Sequence, residues 1–185
     1  MQRHYEGPLL EHLGGRVKGG SVLEIGCSRG VGCELLFQHF GVQHICALDL
    51  DPAMVEQARL RLAAYLPDRL QLEVGDASAI AASDGVFDAV FDFGVLHHVA
   101  NWQAAVSEIR RVLKPEGRFF FEEITRQALE RWVYRTWLDH PVENRFSAHE
   151  LLAELERQGI TVGTQVVQRF FGDLVIGVGQ VIAVV

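Results

Sequence analysis

Lysine is almost absent. Only Lys18 and Lys114 occur in 185 residues, and 17 basic against 24 acidic side chains leave a net charge of −7. Duplex nucleic acid binding draws much of its affinity from phosphate neutralisation, so this acidic excess argues against a nucleic acid partner. Cysteine is scarce too. Cys27, Cys33 and Cys46 are odd in number and form no Cys-x-x-Cys pair, which supports neither a disulfide framework nor a structural zinc site. His149-Glu150 is not followed by a second histidine at helical spacing, so the metalloprotease signature is missing and no metal is expected. No apolar run approaches the roughly 18–20 residues that cross a bilayer. Residues 1–6 are polar throughout rather than the start of a signal peptide. These absences lead to the expectation of a cytoplasmic protein with no membrane span.

What remains is ordinary globular composition, 49% hydrophobic and 22% charged with a mean hydropathy of +0.11, in a length that suits one domain over residues 1–185. The chain opens with an amphipathic segment at 5–17, where Leu9, Leu10, Leu13 and Val17 recur at helical spacing. Strand readings follow at 21–25, 44–48, 70–74, 87–91 and 118–122. Helices are expected at 33–40, 52–65 and 102–113, and Lys114-Pro115-Glu116-Gly117 reads as a turn. Asp51-Pro52 has the chemistry of a helix start, aspartate as cap and proline at the first helical position. This alternation argues a parallel sheet with helices on both faces. Past Ile124 it stops. Ser147 and Glu150 form a capping-box pair for a helix at 148–158, and segments 160–171 and 174–185, joined at Gly172-Asp173, read as an antiparallel hairpin.

In open α/β sheets, ligands bind beyond the carboxyl ends of the strands. The polar and glycine residues gather at those ends: Glu24, Gly26, Cys27, Ser28 and Gly30 after the first strand, Asp49 after the second, Gly75-Asp76-Ala77 after the third and Phe93-Gly94 after the fourth. The first loop is not the dinucleotide fingerprint Gly-x-Gly-x-x-Gly, because Ser28 and Val31 replace its second and third glycines. Glu24 would repel a phosphate, whereas a carboxylate beside closely approaching backbone suits a ligand bearing an ammonium. Asp49, 23 residues beyond Gly26, has the spacing of an acceptor for ribose hydroxyls. The loops point to a nucleoside with an amino-acid tail.

These segments (Val22 to Gly30, Ala47 to Pro52, Gly75 to Ala77, Phe87 to Val90, Leu96 to Val99 and Ile109 to Gly117) resemble the class I S-adenosylmethionine-dependent methyltransferases, and within them the small-molecule branch that includes ubiquinone and menaquinone biosynthesis enzymes. The resemblance covers roughly residues 20–124. It implies a Rossmann-like, seven-stranded and mostly parallel sheet with an antiparallel last strand. It implies S-adenosyl-L-methionine as cofactor, S-adenosyl-L-homocysteine as product, and methyl transfer to a small-molecule acceptor. Matched position by position, Glu24 is the acid that meets the methionine amino group, and Gly26, Cys27 and Gly30 are the backbone that wraps the methionine. Asp49 matches the ribose-binding acid, Leu50 the apolar residue against adenine, Asp76 the acceptor for the adenine amino group, Ala77 a backbone donor to the ring, and Phe93 the point where the chain passes the sulfonium. Ser28 departs from the family, which commonly has glycine there.

A hydroxyl acceptor needs a base, for which His97 is expected, with His98, Tyr5 and Glu123 as the other candidates; an amine or an activated carbon needs none. Asp51 reads as a helix cap only, and Cys27 and Cys33 as packing residues rather than nucleophiles. Residues 125–146, rich in Trp132, Tyr134, Trp137 and Leu138, are expected to form an apolar substrate lid between the 20–124 cofactor core and the 147–185 helix and hairpin. A catalytically silent cofactor-binding module that regulates a partner protein is the rival reading. The protein is expected to be a monomer or a homodimer.

Overall fold

The computed structural model describes residues 7–130 and 144–182. Five strands, β1 (Ser21–Ile25), β2 (His44–Asp49), β3 (Leu70–Val74), β4 (Phe87–Phe93) and β5 (Leu113–Ile124), lie parallel in the order β3-β2-β1-β4-β5. The chain winds outward from β1 to β3, then returns to β4 on the other side of β1. That reversal opens a crevice at the carboxyl ends of β1 and β4. β8 (Leu174–Val181) pairs antiparallel with β5, so the last strand runs against the rest as expected.

Among the described residues the sheet has eight strands, one more than expected. The segment read as one strand over 160–171 breaks into β6 (Ile160–Thr161) and β7 (Val166–Arg169), which share the outer edge of β8. A turn separates them: Gln165 N–H donates to the Val162 carbonyl at 3.1 Å, and Gly163 has φ +56°. Hydrophobic pattern alone carries no sign of that turn. The turn read at 114–117 also lies inside a strand. Leu113 pairs with Phe87 and Arg118 with Ala89, so β5 bulges outward between the two pairings.

Helices cover both faces of the sheet. α1 (Gly7–Gly14), α2 (Val31–Leu35, widening into a π-type turn at Leu36–Phe40) and α3 (Pro52–Arg61) bury Leu10, Leu36, Phe40 and Val55 against Val22, Phe91 and Phe120. α4 (Trp102–Val112) and α6 (Ala148–Arg157) bury Val106, Ile109, Leu151 and Leu155 against Leu23, Val90, Phe119 and Phe121 on the opposite face. Alternate residues of one strand thus serve opposite cores, the period-two rule of a pleated sheet. A short helix α5 (Arg126–Leu129) follows β5. α1 is shorter than the expected 5–17 because the chain turns at Gly15, whose φ of +72° suits the residue past a helix end.

The carboxyl of Asp51, itself extended, accepts a hydrogen bond from Ala53 N–H at 2.8 Å and Pro52 opens α3. The capping box of α6 is formed on both sides by Ser147 and Glu150. Asp51→Ala is therefore expected to lower stability by about 1 kcal/mol, read in a denaturant titration.

Candidate functional site

Register builds the site. Ile25 pairs with Leu48 and Asp49 with Val74, so the loops leaving β1, β2 and β3 emerge side by side. Cys27 N–H donates to the Leu48 carbonyl at 2.9 Å, and Gly75 N–H to the Asp49 carbonyl at 3.0 Å. Asp49 ties the loops further: one carboxylate oxygen accepts from Ser28 N–H at 2.8 Å and the other from Asp51 N–H at 2.9 Å. Each oxygen keeps lone-pair capacity for a further donor.

A cavity of about 710 Å³ opens there. Of the expected residues, Gly26, Ser28, Asp49, Leu50, Asp76, Ala77 and Phe93 line it. Leu50 is 71% exposed, a large apolar side chain that protein atoms leave uncovered. One Asp76 oxygen accepts from both the N–H and the hydroxyl of Ser78, each at 2.8 Å. A second cavity of about 340 Å³ adjoins the first, sharing Gly26, Ser28 and Phe93, and adds Glu24, Cys27 and Gly32. Gly30 lines neither. With φ +80° it turns the chain into α2, and a Cβ there would stand 2.6 Å from Leu62 Cδ1.

Two glycines make the smaller cavity. Gly26 has φ +62°, and a Cβ on it would meet Val95 Cγ2 at 2.3 Å; one on Gly32 would meet Glu24 Oε1 at 1.9 Å. Ser28 stands in the left-handed region at φ +46°, which accounts for the glycine commonly found there in the family that this loop resembles. Glu24 is 2% exposed, and burial lifts its carboxyl to about 8, opposed by a hydrogen bond from the Cys33 thiol and reinforced by the charge of Asp49. Burial pushes the Cys27 thiol up to about 12, so Cys27 offers backbone rather than a nucleophile.

Beyond β4 the chain is held by two buried carboxyls. Asp92 accepts from Val95 N–H at 2.9 Å. Glu123 accepts from Leu96 N–H at 2.6 Å and His97 N–H at 3.3 Å, and its Oε2 lies 2.7 Å from His97 Nδ1. Burial raises both carboxyls, Glu123 to about 7; Glu123 pushes Asp92 further up, whereas the hydrogen bond from Asp92 favours the ionised form of Glu123, and burial lowers His97 to about 4. A neutral imidazole donating from Nδ1 to Glu123 fits these directions. His97 is buried and does not line the cavity, whereas its neighbour His98 is exposed and does, the two rings lying 4.1 Å apart between centroids. Sequence reasoning preferred His97 and passed over Gly32 and Asp92. Tyr5, and most of the 125–146 segment with Trp132, Tyr134, Trp137 and Leu138, lie outside the described residues. Among the described residues, no group of three His, Cys, Asp or Glu side chains could hold a metal ion, and no helix is long and apolar enough to cross a membrane.

A family described as "Methyltransferase domain" matches residues 23–121. The chain is 31% identical over 148 residues to Probable phthiotriol/phenolphthiotriol dimycocerosates methyltransferase 2 of Mycobacterium ulcerans, covering 80% of this chain and 55% of that protein. It is 31% identical over 122 residues to the Ubiquinone biosynthesis O-methyltransferase of Xylella fastidiosa, covering 63% and 48%. The chain thus spans about half the length of these relatives. In fold, it is similar to a methyltransferase solved in complex with the Trm112 methyltransferase activator of Haloferax volcanii, with a TM-score of 0.80, 20% identity and coverage of 100% of this chain and 92% of that one. The matched residues run from the middle of β1 through most of β5, which takes in every loop that lines the two cavities, and the chain belongs to the class I S-adenosylmethionine-dependent methyltransferases.

Proposed function

We propose that this chain transfers the methyl group of S-adenosylmethionine to a small-molecule acceptor, releasing S-adenosylhomocysteine. The observation that carries this reading is the pair of adjoining cavities: a buried acid beside bare glycine backbone in one, and Asp49, exposed Leu50 and Asp76 in the other. An amino-acid tail fits the first and a nucleoside the second. Bound there, the cofactor supplies a methyl on a sulfonium, already activated for in-line displacement.

The chain's own work is to orient and to exclude water. Glu24 meets the ammonium, backbone at Gly26 and Cys27 wraps the tail, and Asp49 accepts from the ribose hydroxyls. Asp76 and the Ala77 N–H read the adenine edge while Leu50 covers its face. Phe93 stands at the join of the cavities, where the sulfonium would lie. His98 replaces His97 as the side chain offered to a hydroxyl acceptor, with His97 and Glu123 behind it. A small-molecule acceptor is further supported by the relatives named for phthiotriol dimycocerosates and for ubiquinone biosynthesis.

S-adenosylhomocysteine should raise the melting temperature and NAD should not. Asp49→Ala should weaken S-adenosylhomocysteine by roughly ten- to a hundredfold, the value of charge-assisted hydrogen bonds. Calorimetry in which NAD binds more tightly than S-adenosylhomocysteine would overturn the assignment. Turnover with a metabolite panel separates an enzyme from a silent binding module.

A further inference from the structure

The proposed function gives no task to the buried thiol of Cys33. The Cys33 thiol, on α2, lies 2.8 Å from Glu24 Oε2 and is fully buried. A Cβ on Gly32 would stand 1.9 Å from Glu24 Oε1, so glycine leaves the room that one carboxyl oxygen occupies while the thiol holds the other.

We propose that Cys33 is a positioning residue of the cofactor site, holding Glu24 toward the tail cavity, and that Glu24 exchanges its proton for the ligand's ammonium on binding. This rests on the function proposed above and adds to it a proton balance and a residue. The thiol donates one hydrogen bond, which favours the ionised carboxylate and fixes its rotamer. The groups facing Glu24 are Cys33 from α2, Cys27 from the loop and Asp49 from β2, and none of them carries a positive charge. Arg29 and Arg61 line the same cavity, but neither contributes to the shift of Glu24. Burial holds the carboxyl at about 8, and no cation beside it brings it down. An arriving ammonium is that cation. Glu24 then ionises, its proton passes to solvent, and an ammonium–carboxylate pair remains.

The sign follows from linkage. Free protein holds the proton below about pH 8 and bound protein does not, so affinity climbs as pH rises toward that value and levels above it. S-adenosylhomocysteine affinity should increase about twentyfold between roughly pH 6.5 and 8.5. Methylthioadenosine, which lacks the amino-acid tail, should bind with no such dependence.

The experiment is titration calorimetry of S-adenosylhomocysteine across that pH range, in two buffers of different ionisation enthalpy, with methylthioadenosine as the control ligand. Wild type should release close to one proton near pH 7. Cys33→Ala should weaken S-adenosylhomocysteine about tenfold near neutral pH and move the pH profile upward. Cys33→Ser, which restores a donor, should stay within a few-fold of wild type. Unchanged methylthioadenosine affinity in both variants reports an intact fold. Either a flat pH profile in wild type or an unaltered Cys33→Ala profile overturns the proposal while leaving the cofactor assignment standing. Failure of S-adenosylhomocysteine to bind wild type at any pH overturns both.

Discussion

Gly32→Ala is expected to abolish S-adenosylhomocysteine binding within the reach of calorimetry, a loss of at least a hundredfold. The added methyl would stand 1.9 Å from Glu24 Oε1, 2.8 Å from its Cδ and 2.9 Å from Phe93 Cδ2. No real Cβ tolerates such contacts, and α2 begins only one residue earlier. The carboxyl must therefore swing away, giving up both its hydrogen bond with Cys33 and its place in the tail cavity. Gly32 has no unusual backbone angle that demands glycine, so the stability loss should be that of overpacking, about 1–3 kcal/mol. Binding that survives within tenfold of wild type would show that Glu24 does not stand where the tail lies.

Glu123→Ala is expected to destabilise the fold by about 3 kcal/mol or more, seen as a lower urea midpoint. The substitution strands the Leu96 and His97 N–H groups and the His97 ring, and each buried donor left unmet costs about 1–3 kcal/mol. Loss of the strap also frees the turn that carries His98, so cofactor affinity should fall less than acceptor turnover. Glu123→Gln keeps the shape but can accept through one oxygen only, and should lie between. An unchanged midpoint for Glu123→Ala would mean that water replaces the carboxyl in full.

Part of this site is plain in the linear chain and part is not, for reasons of distance. Asp49 ends one strand of a parallel sheet while Leu50, Asp76 and Ala77 follow one, and such ends converge whatever the side chains around them. Hence their gathering was readable from alternation alone. Glu24 to Cys33 is different: that contact exists only because α2 folds back over the strand it follows. Nothing in a periodic pattern says which residue of the first turn lands on the carboxyl. His97 and His98 differ by one position in a tight turn, which is enough to put one ring inward and its neighbour at the cavity. The break between β6 and β7 leaves no mark in the hydrophobic pattern because Val162, though buried, lies in the turn and not in a strand.

The first helix owes its place to the end of the chain. Gly14 packs so closely on Phe120 and Val178 that a Cβ would meet their carbons at 2.6 and 2.7 Å. Arg118 donates to the carbonyls of Gly14 and Arg16, and Gln165 Nε2 donates to the Leu13 carbonyl at 3.0 Å, across 152 positions of sequence. During synthesis α1 leaves the ribosome long before β5 and β8, the strands that give it a surface to rest on. It must wait, exposed, while some hundred and fifty residues follow, and β8 cannot close the sheet's far side without meeting it. Order of appearance and order of docking are thus reversed at the two ends of the fold. A truncation at either end should release the same pair of elements.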